Sequence, residues 1–90
     1  MILQLYSVHD RQADSFANPM YMLAPGQAIR SFADEINRAA ADNPLYAHPD
    51  DFDLYLLGTF DTNTGEFSHP SRPEKIAIGK NLKLNGSTAP

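Results

Sequence analysis

Hydrophobic residues in the middle of the chain recur at helical spacing. Five of them lie three or four positions apart: Ile29, Phe32, Ala33, Ile36 and Ala40. Such a series forms one apolar face of an α-helix, with polar side chains on the other faces. The step Asn43-Pro44 should end the helix, because a residue before proline is disfavoured in the α region. The sequence therefore predicts a helix over residues 26–41 whose apolar stripe packs in the core.

On both sides of this helix the apolar pattern becomes typical of β-strands. Strands are predicted over residues 2–8, 19–23, 53–60, 66–69 and 75–79. Pro19 places the second of these at a sheet edge, because proline cannot donate to a strand ladder. Residues 61–65 supply the Asp, Asn and Gly side chains that favour a hairpin turn.

The predicted strand 53–60 is apolar on both sides. Strict alternation places Leu54, Leu56, Gly58 and Phe60 on one face and Tyr55, Leu57 and Thr59 on the other. We expect the helix to cover one face and a second copy of the chain to cover the other, so that the protein is a homo-oligomer, with a dimer favoured.

The order β-β-α-β-β-β predicts an α+β fold, a small antiparallel sheet of four to five strands with one helix packed on one face. Residues 1–84 should form this single domain and residues 85–90 a flexible tail. A chain of 90 residues with 42% hydrophobic residues is typical of one globular domain.

No apolar stretch approaches the roughly 20 residues that span a bilayer, and the first residues lack the basic front of a secretion signal. We therefore expect a soluble, unprocessed chain without membrane partners.

Charge is distributed unevenly along the chain, whose net charge is −4. Residues 1–71 carry three basic and ten acidic side chains, a net charge of −7. Residues 72–90 carry four basic side chains and one acidic one, a net charge of +3. The acidic part should repel phosphate. The basic side chains are Arg72, Lys75, Lys80 and Lys83, and they either contact phosphate or belong to a solvated edge strand and tail.

Residues with catalytic or metal-binding potential do not form a recognisable motif. The absence of cysteine excludes disulfides and thiolate metal sites. The group of His48, Asp50, Asp51 and Asp53 matches no defined metal-ligand spacing, and a turn leading into a strand explains it better. The segment beginning at Asp61 fails as a calcium loop, because Glu66 stands where glycine is required and Arg72 where a bidentate Glu is required. Ser7 and His9 share a strand face, but no nucleophile-elbow motif surrounds them. The sequence thus predicts no enzyme, no catalytic residue, no metal and no cofactor.

An ordered set of short motifs resembles one viral protein family. The motifs are Ala28-Ile29-Arg30-Ser31-Phe32, His48-Pro49-Asp50-Asp51-Phe52, Gly58-Thr59-Phe60-Asp61 and Thr64-Gly65. In this order they are similar to the nonstructural protein of gokushoviruses, small single-stranded DNA phages of the Microviridae. The resemblance covers roughly residues 2–80, and the alanine run after the helix and a shorter, less charged tail depart from it.

The resemblance implies a protein that is outside the capsid and acts in the cytoplasm of the infected bacterium. It also implies DNA binding, or a role when replication turns to making single-stranded genomes. Single-strand binders combine cations with aromatic stacking platforms, and the candidate residues are Arg72, Lys75, Lys80 and Lys83, with Arg30, Tyr55 and Phe67. The alternative is an interaction module that binds a viral or host replication protein, or oligomerises through its sheet, without touching DNA.

Overall fold

The computed structural model describes residues 1–84, and the tail predicted over residues 85–90 lies outside the described part. The strands are β1 (Ile2–Asp10), β2 (Ser15–Phe16), β3 (Met20–Met22), β4 (Phe52–Asp61), β5 (Phe67–Ser68) and β6 (Glu74–Ile78). The helices are α1 (Pro25–Ile36), α2 (Pro44–Ala47) and α3 (Gly79–Leu82), and a 3₁₀ turn spans Pro49–Asp51. Among the residues described, no helix has the length and apolar character needed to cross a membrane.

Two long antiparallel strands, β1 and β4, form the centre of the sheet. Their register places Ser7 opposite Tyr55 and Val8 opposite Leu54. The short strands β2 and β3 pair antiparallel with the outer edge of β1, and β5 and β6 pair antiparallel with β4. The predicted α+β class, with an antiparallel sheet and one main helix, is confirmed. The sheet of the described residues has six strands, not the four to five predicted, because the two-residue strand β2 was not among the predicted strands.

The core lies between α1 and one face of the central strands. Ala28, Phe32 and Ile36 of α1 are buried against Tyr6, Phe52 and Leu54. The predicted apolar stripe is therefore confirmed for Phe32 and Ile36, which occupy the helical spacing of four residues. Tyr6 sits in this core with its hydroxyl donating to the side chain of Gln4, which satisfies its polar end.

The predicted end of the main helix is wrong. α1 ends at Ile36, not at residue 41, and Ala40 lies beyond it. The side chain of Asn37 donates to the carbonyl oxygens of Ala33 at 2.8 Å and Leu82 at 3.0 Å. The side chain of Asn43 donates to those of Glu35 at 2.8 Å and Arg38 at 2.9 Å. Because two amides satisfy carbonyls at the end of the helix, the chain can leave the helical path early.

The pair Asn43-Pro44 begins a helix instead of ending one. Pro44 occupies the first position of α2, where its missing N–H has no partner to lose. The Asn43 side chain accepts a hydrogen bond from the backbone N–H of Leu45, as an N-cap does. The side chain of Asn43 thus caps a carbonyl at the end of α1 and also caps the first turn of α2.

A β-bulge in β4 overturns the predicted alternation of its side chains. Leu56 lies opposite Tyr6 and Gly58 lies opposite Leu5, so Leu57 has no partner on β1. One extra residue exchanges the two faces for everything that follows. Phe60 is therefore on the same face as Tyr55, not on the face of Leu54 as predicted.

Candidate nucleic-acid interface

The face of the sheet opposite α1 carries most of the exposed aromatic residues. Tyr6 and Val8 point toward the helix, so alternation directs Leu5, Ser7 and His9 to the other side. We call this side the open face. It comprises Leu3, Leu5, His9, Phe16, Tyr21, Tyr55, Phe60, Phe67 and Lys75.

The first aromatic cluster lies where β1 and β2 pair. The ring centroids of His9 and Phe16 are 4.5 Å apart, and that of Tyr55 lies 5.4 Å from Phe16 and 5.8 Å from His9. The strand register produces this contact, because His9 pairs with Phe16 across the β1–β2 ladder. Phe16 remains 45% exposed, so an aromatic ring reaches solvent at this end of the open face.

The second aromatic cluster lies at the other end of the central strands. The centroid of Phe60 is 4.8 Å from that of Phe67 and 6.5 Å from that of Tyr21. Tyr21 is 52% exposed and Phe67 is 62% exposed. Burial of such rings is normally favourable, so two rings exposed to this extent make the open face a candidate contact surface.

Two cations flank the first cluster, and a buried carboxylate lies between them. The side chain of Asp53 is 0% exposed, and its Oδ2 atom lies 3.5 Å from Nη1 of Arg11 and 3.6 Å from Nζ of Lys75. Both cationic side chains are about half exposed. The Lys75 ammonium also lies 6.0 Å from the ring centroid of Tyr55, at the outer limit of a cation–π contact.

Comparison with known proteins places the chain in a viral family. The model of the phage ORF5 protein family matches residues 3–82. The chain belongs to the phage ORF5 protein family. Protein ORF5 of Chlamydia phage 1 is 35% identical to it over 65 residues, which cover 69% of this chain and 67% of that protein. No solved structure matches the chain.

The family match spans both clusters and the cation pair of this ORF5-family protein. Of the residues predicted to bind DNA, the structure brings Tyr55, Phe67 and Lys75 to the open face. Arg72 lies in the exposed segment between β5 and β6. Three of these four residues, Tyr55, Phe67 and Lys75, therefore share one surface.

The other three predicted residues lie on the helices or beside them. Arg30 is exposed on α1, the element that covers the opposite face of the sheet, and Lys80 is exposed on α3. Lys83 donates from Nζ to the carbonyl oxygens of Ile36 at 3.2 Å and Tyr46 at 3.0 Å, with its ammonium 3.3 Å from the Tyr46 ring centroid. Its charge therefore stabilises the end of α1.

Sequence reasoning missed five residues of this surface: His9, Arg11, Phe16, Tyr21 and Phe60. Phe60 was placed on the wrong face because strict alternation ignored the bulge. Gly58 was the available signal, since glycine inside a strand often marks a bulge or a close approach. A Cβ atom at Gly58 would collide with the carbonyl oxygen of Ser68. Arg11 and Phe16 follow the first strand without any periodic pattern that could have singled them out.

Several of the other residues with catalytic or metal-binding potential take part in turns. Asp50 and Asp51 belong to the 3₁₀ turn that precedes β4, and the carbonyl of Asp51 accepts from the backbone N–H of Arg11 at 2.8 Å. The predicted hairpin turn is confirmed, with the Asn63 N–H donating to Asp61 Oδ1 at 2.8 Å. Within residues 1–84, no three or more His, Asp or Glu side chains are grouped to hold a metal ion.

Proposed function

We propose that this ORF5-family protein binds single-stranded DNA on its open face and acts as a nonstructural accessory of phage genome replication. The observation that carries the proposal is the pair of aromatic clusters, partly in water, on the sheet face that α1 does not cover. The resemblance to gokushovirus nonstructural proteins supports the same function. It also supports a site of action in the cytoplasm of the infected bacterium, outside the capsid.

Stacking of bases on exposed aromatic rings suits an acidic protein. Each base that stacks on an aromatic side chain contributes about 1–3 kcal/mol, whatever the base. Such stacking does not depend on net charge, which is −4 here. The binding energy would come mainly from Phe16, Tyr21 and Phe67, the most exposed rings of the open face.

The distance between the two aromatic clusters determines which form of DNA can contact both clusters. Tyr55 lies opposite Ser7, and Phe60 lies opposite Leu3, four residues earlier on β1. Four residues of a strand extend over about 13 Å. A single strand of several nucleotides can cross this distance with its bases turned toward the sheet, whereas paired bases are not free to stack on protein rings.

In this proposal, charge makes a smaller, salt-sensitive contribution to the free energy of DNA binding. Arg11 and Lys75 are positioned to contact the backbone near the first cluster, and Arg72 follows in the loop before β6. For single strands the slope of log affinity against log salt is about −0.7 per phosphate neutralised. We therefore expect a slope of about −1 to −2, shallow compared with binders that rely on many lysines.

A fluorescence titration tests the proposal. Labelled oligothymidylate of about 16 nucleotides, a length that fills a single-domain site, is titrated at several salt concentrations. We expect saturable binding that salt weakens with the shallow slope above, and weaker binding to duplex of the same length. No saturable binding to the single strand at low salt would contradict the proposed function.

A second function rests on the same face. Exposed apolar side chains also mark protein contacts, and the acidic charge of residues 1–71 disfavours phosphate. The alternative is thus an interaction module that binds a replication protein or a second copy of the chain. Light scattering at high micromolar concentration tests the second copy. A dimer that Phe67→Ala dissociates would support the interaction module, and a mass of 10.0 kDa would indicate a monomer with a free open face.

A further inference from the structure

Asp53 is a buried carboxylate on the open-face side of β4, opposite His9, and its hydrogen bonding is incomplete. Its side chain is fully buried, yet neither carboxylate oxygen accepts a hydrogen bond from the described residues. Within the described residues, Asp53 forms ion pairs only with Arg11 and Lys75. The N–O distances are 3.5 and 3.6 Å, which exceed normal hydrogen-bond length. A buried ion pair adds little net stability, because desolvation offsets most of the attraction. Packing of the sheet therefore does not explain why a carboxylate occupies this position.

The two cations approach Asp53 from opposite edges of the central strand pair. Arg11 follows β1, whereas Lys75 belongs to β6 on the far side of β4. Without a negative charge between them, these two side chains would repel each other and move apart in solvent. Asp53 holds both near one point, and their exposed parts retain N–H groups that can donate to a ligand.

The cation pair has the charge and the location to bind one backbone phosphate. Two positive charges and one negative charge leave a net charge of +1, which matches a phosphodiester. The site also adjoins the first aromatic cluster, since Lys75 lies opposite Tyr55 in the β4–β6 ladder. A phosphate held here would place the neighbouring base beside the exposed ring of Phe16.

We infer that Asp53 is a positioning residue that holds Arg11 and Lys75 as a binding site for one phosphodiester group of a single-stranded nucleic acid. This inference rests on the proposed function and adds to it a defined phosphate site. Asp53 itself does not touch the ligand and acts only through the two cations.

The direction in which one substitution changes DNA affinity tests the inference. Asp53→Asn removes a negative charge, which by bulk electrostatics should strengthen DNA binding. If Asp53 positions the cations, binding to the same oligothymidylate should instead weaken by about tenfold, the loss of roughly one charge-assisted contact. Asp34→Asn is the matched control, because it removes the same charge from the exposed surface of α1. We expect that control to leave affinity unchanged or slightly increased.

A second set of variants tests the inference even if Asp53→Asn fails to fold. Arg11→Gln and Lys75→Gln should each weaken binding about tenfold. If both cations bind one phosphate, the double variant should lose little more than either single variant. Its salt slope should then be flatter by about 0.7, whereas two independent phosphate contacts would flatten it by about 1.4. Circular dichroism confirms that each variant is folded.

The outcomes separate the inference from the proposed function. Wild-type binding together with an Asp53→Asn variant that binds as tightly as Asp34→Asn would overturn the inference and leave DNA binding intact. Additive losses for Arg11→Gln and Lys75→Gln would likewise overturn the shared site. An absence of wild-type binding at low salt would overturn the proposed function, and the phosphate site with it.

Discussion

Both faces of the sheet carry apolar side chains, but the two sets differ in their exposure to solvent. On the helix side, Phe32, Ile36 and Leu54 are buried in one hydrophobic cluster. On the open face, Phe16, Tyr21 and Phe67 remain about half exposed. Burial on the first face specifies the fold, while exposure on the second leaves aromatic rings available for a ligand. The comparison shows that hydrophobicity alone does not distinguish core from contact surface in so small a domain.

The largest effect should come from the helix side. Phe32→Ala removes a buried aromatic ring and leaves a cavity, so the free energy of unfolding should fall by about 3–5 kcal/mol. Phe67→Ala removes a ring of the same size from the open face and should cost about 1 kcal/mol or less. Urea denaturation of both variants measures the difference. Equal losses would contradict the division between a structural and an exposed face.

The next effect concerns binding at the open face. Phe67→Ala should weaken single-stranded DNA binding by about 1–3 kcal/mol, the value of one stacked base. Tyr46→Ala is the matched control, because Tyr46 is an exposed aromatic residue of α2, away from the open face. Fluorescence titration should show no change in affinity for the control. A similar loss in both variants would remove the assignment of stacking to the open face.

A smaller effect separates two lysines that the sequence grouped together. Lys75→Gln should flatten the salt slope by about 0.7, because it disrupts the proposed phosphate contact. Lys80→Gln changes the charge equally but lies on α3, so its slope should match the wild type. Titrations at four or five salt concentrations compare the two. If Lys80→Gln flattens the slope as much, DNA contacts extend beyond the open face.

The smallest effect is expected on the solvent side of α1. A bidentate hydrogen bond from Arg38 lowers the pKa of the Glu35 carboxyl below its usual value. Any stability from this pair is present near neutral pH and disappears as the pH falls through the lowered pKa. Because both side chains are substantially exposed, Glu35→Ala should change the unfolding free energy by about 0.5 kcal/mol or less at pH 7. Denaturation at pH 7 and at a pH low enough to protonate Glu35 in the folded protein should show the difference only at pH 7.

The parts of the fold that follow from local periodicity could be predicted from the sequence. The three- and four-residue spacing of Ile29, Phe32 and Ile36 identified α1 and its buried face. The hairpin turn after Asp61 followed from residue types with defined backbone preferences. The end of α1 could not be read in this way, because it depends on Asn37 bonding to Leu82, 45 residues away.

The candidate site was predictable only where its residues lie on a regular strand. Tyr55 and Lys75 were identified, and the ladder places them opposite each other. Phe60 was assigned to the wrong face because strict alternation ignored the bulge at Leu57, for which Gly58 was the sequence signal. Arg11 could not be linked to Lys75, because only the tertiary fold brings both to Asp53.

The bulge at Leu57 also affects how relatives of this chain should be compared. A family member that keeps the residue at position 57 but pairs it regularly with β1, without the bulge, would direct the aromatic residue at its Phe60 position to the helix side. An alignment column would then pair a ring of the open face with a core ring and show false conservation. Relatives are better aligned by the sheet face that each residue occupies, with Gly58 as the reference point after the bulge.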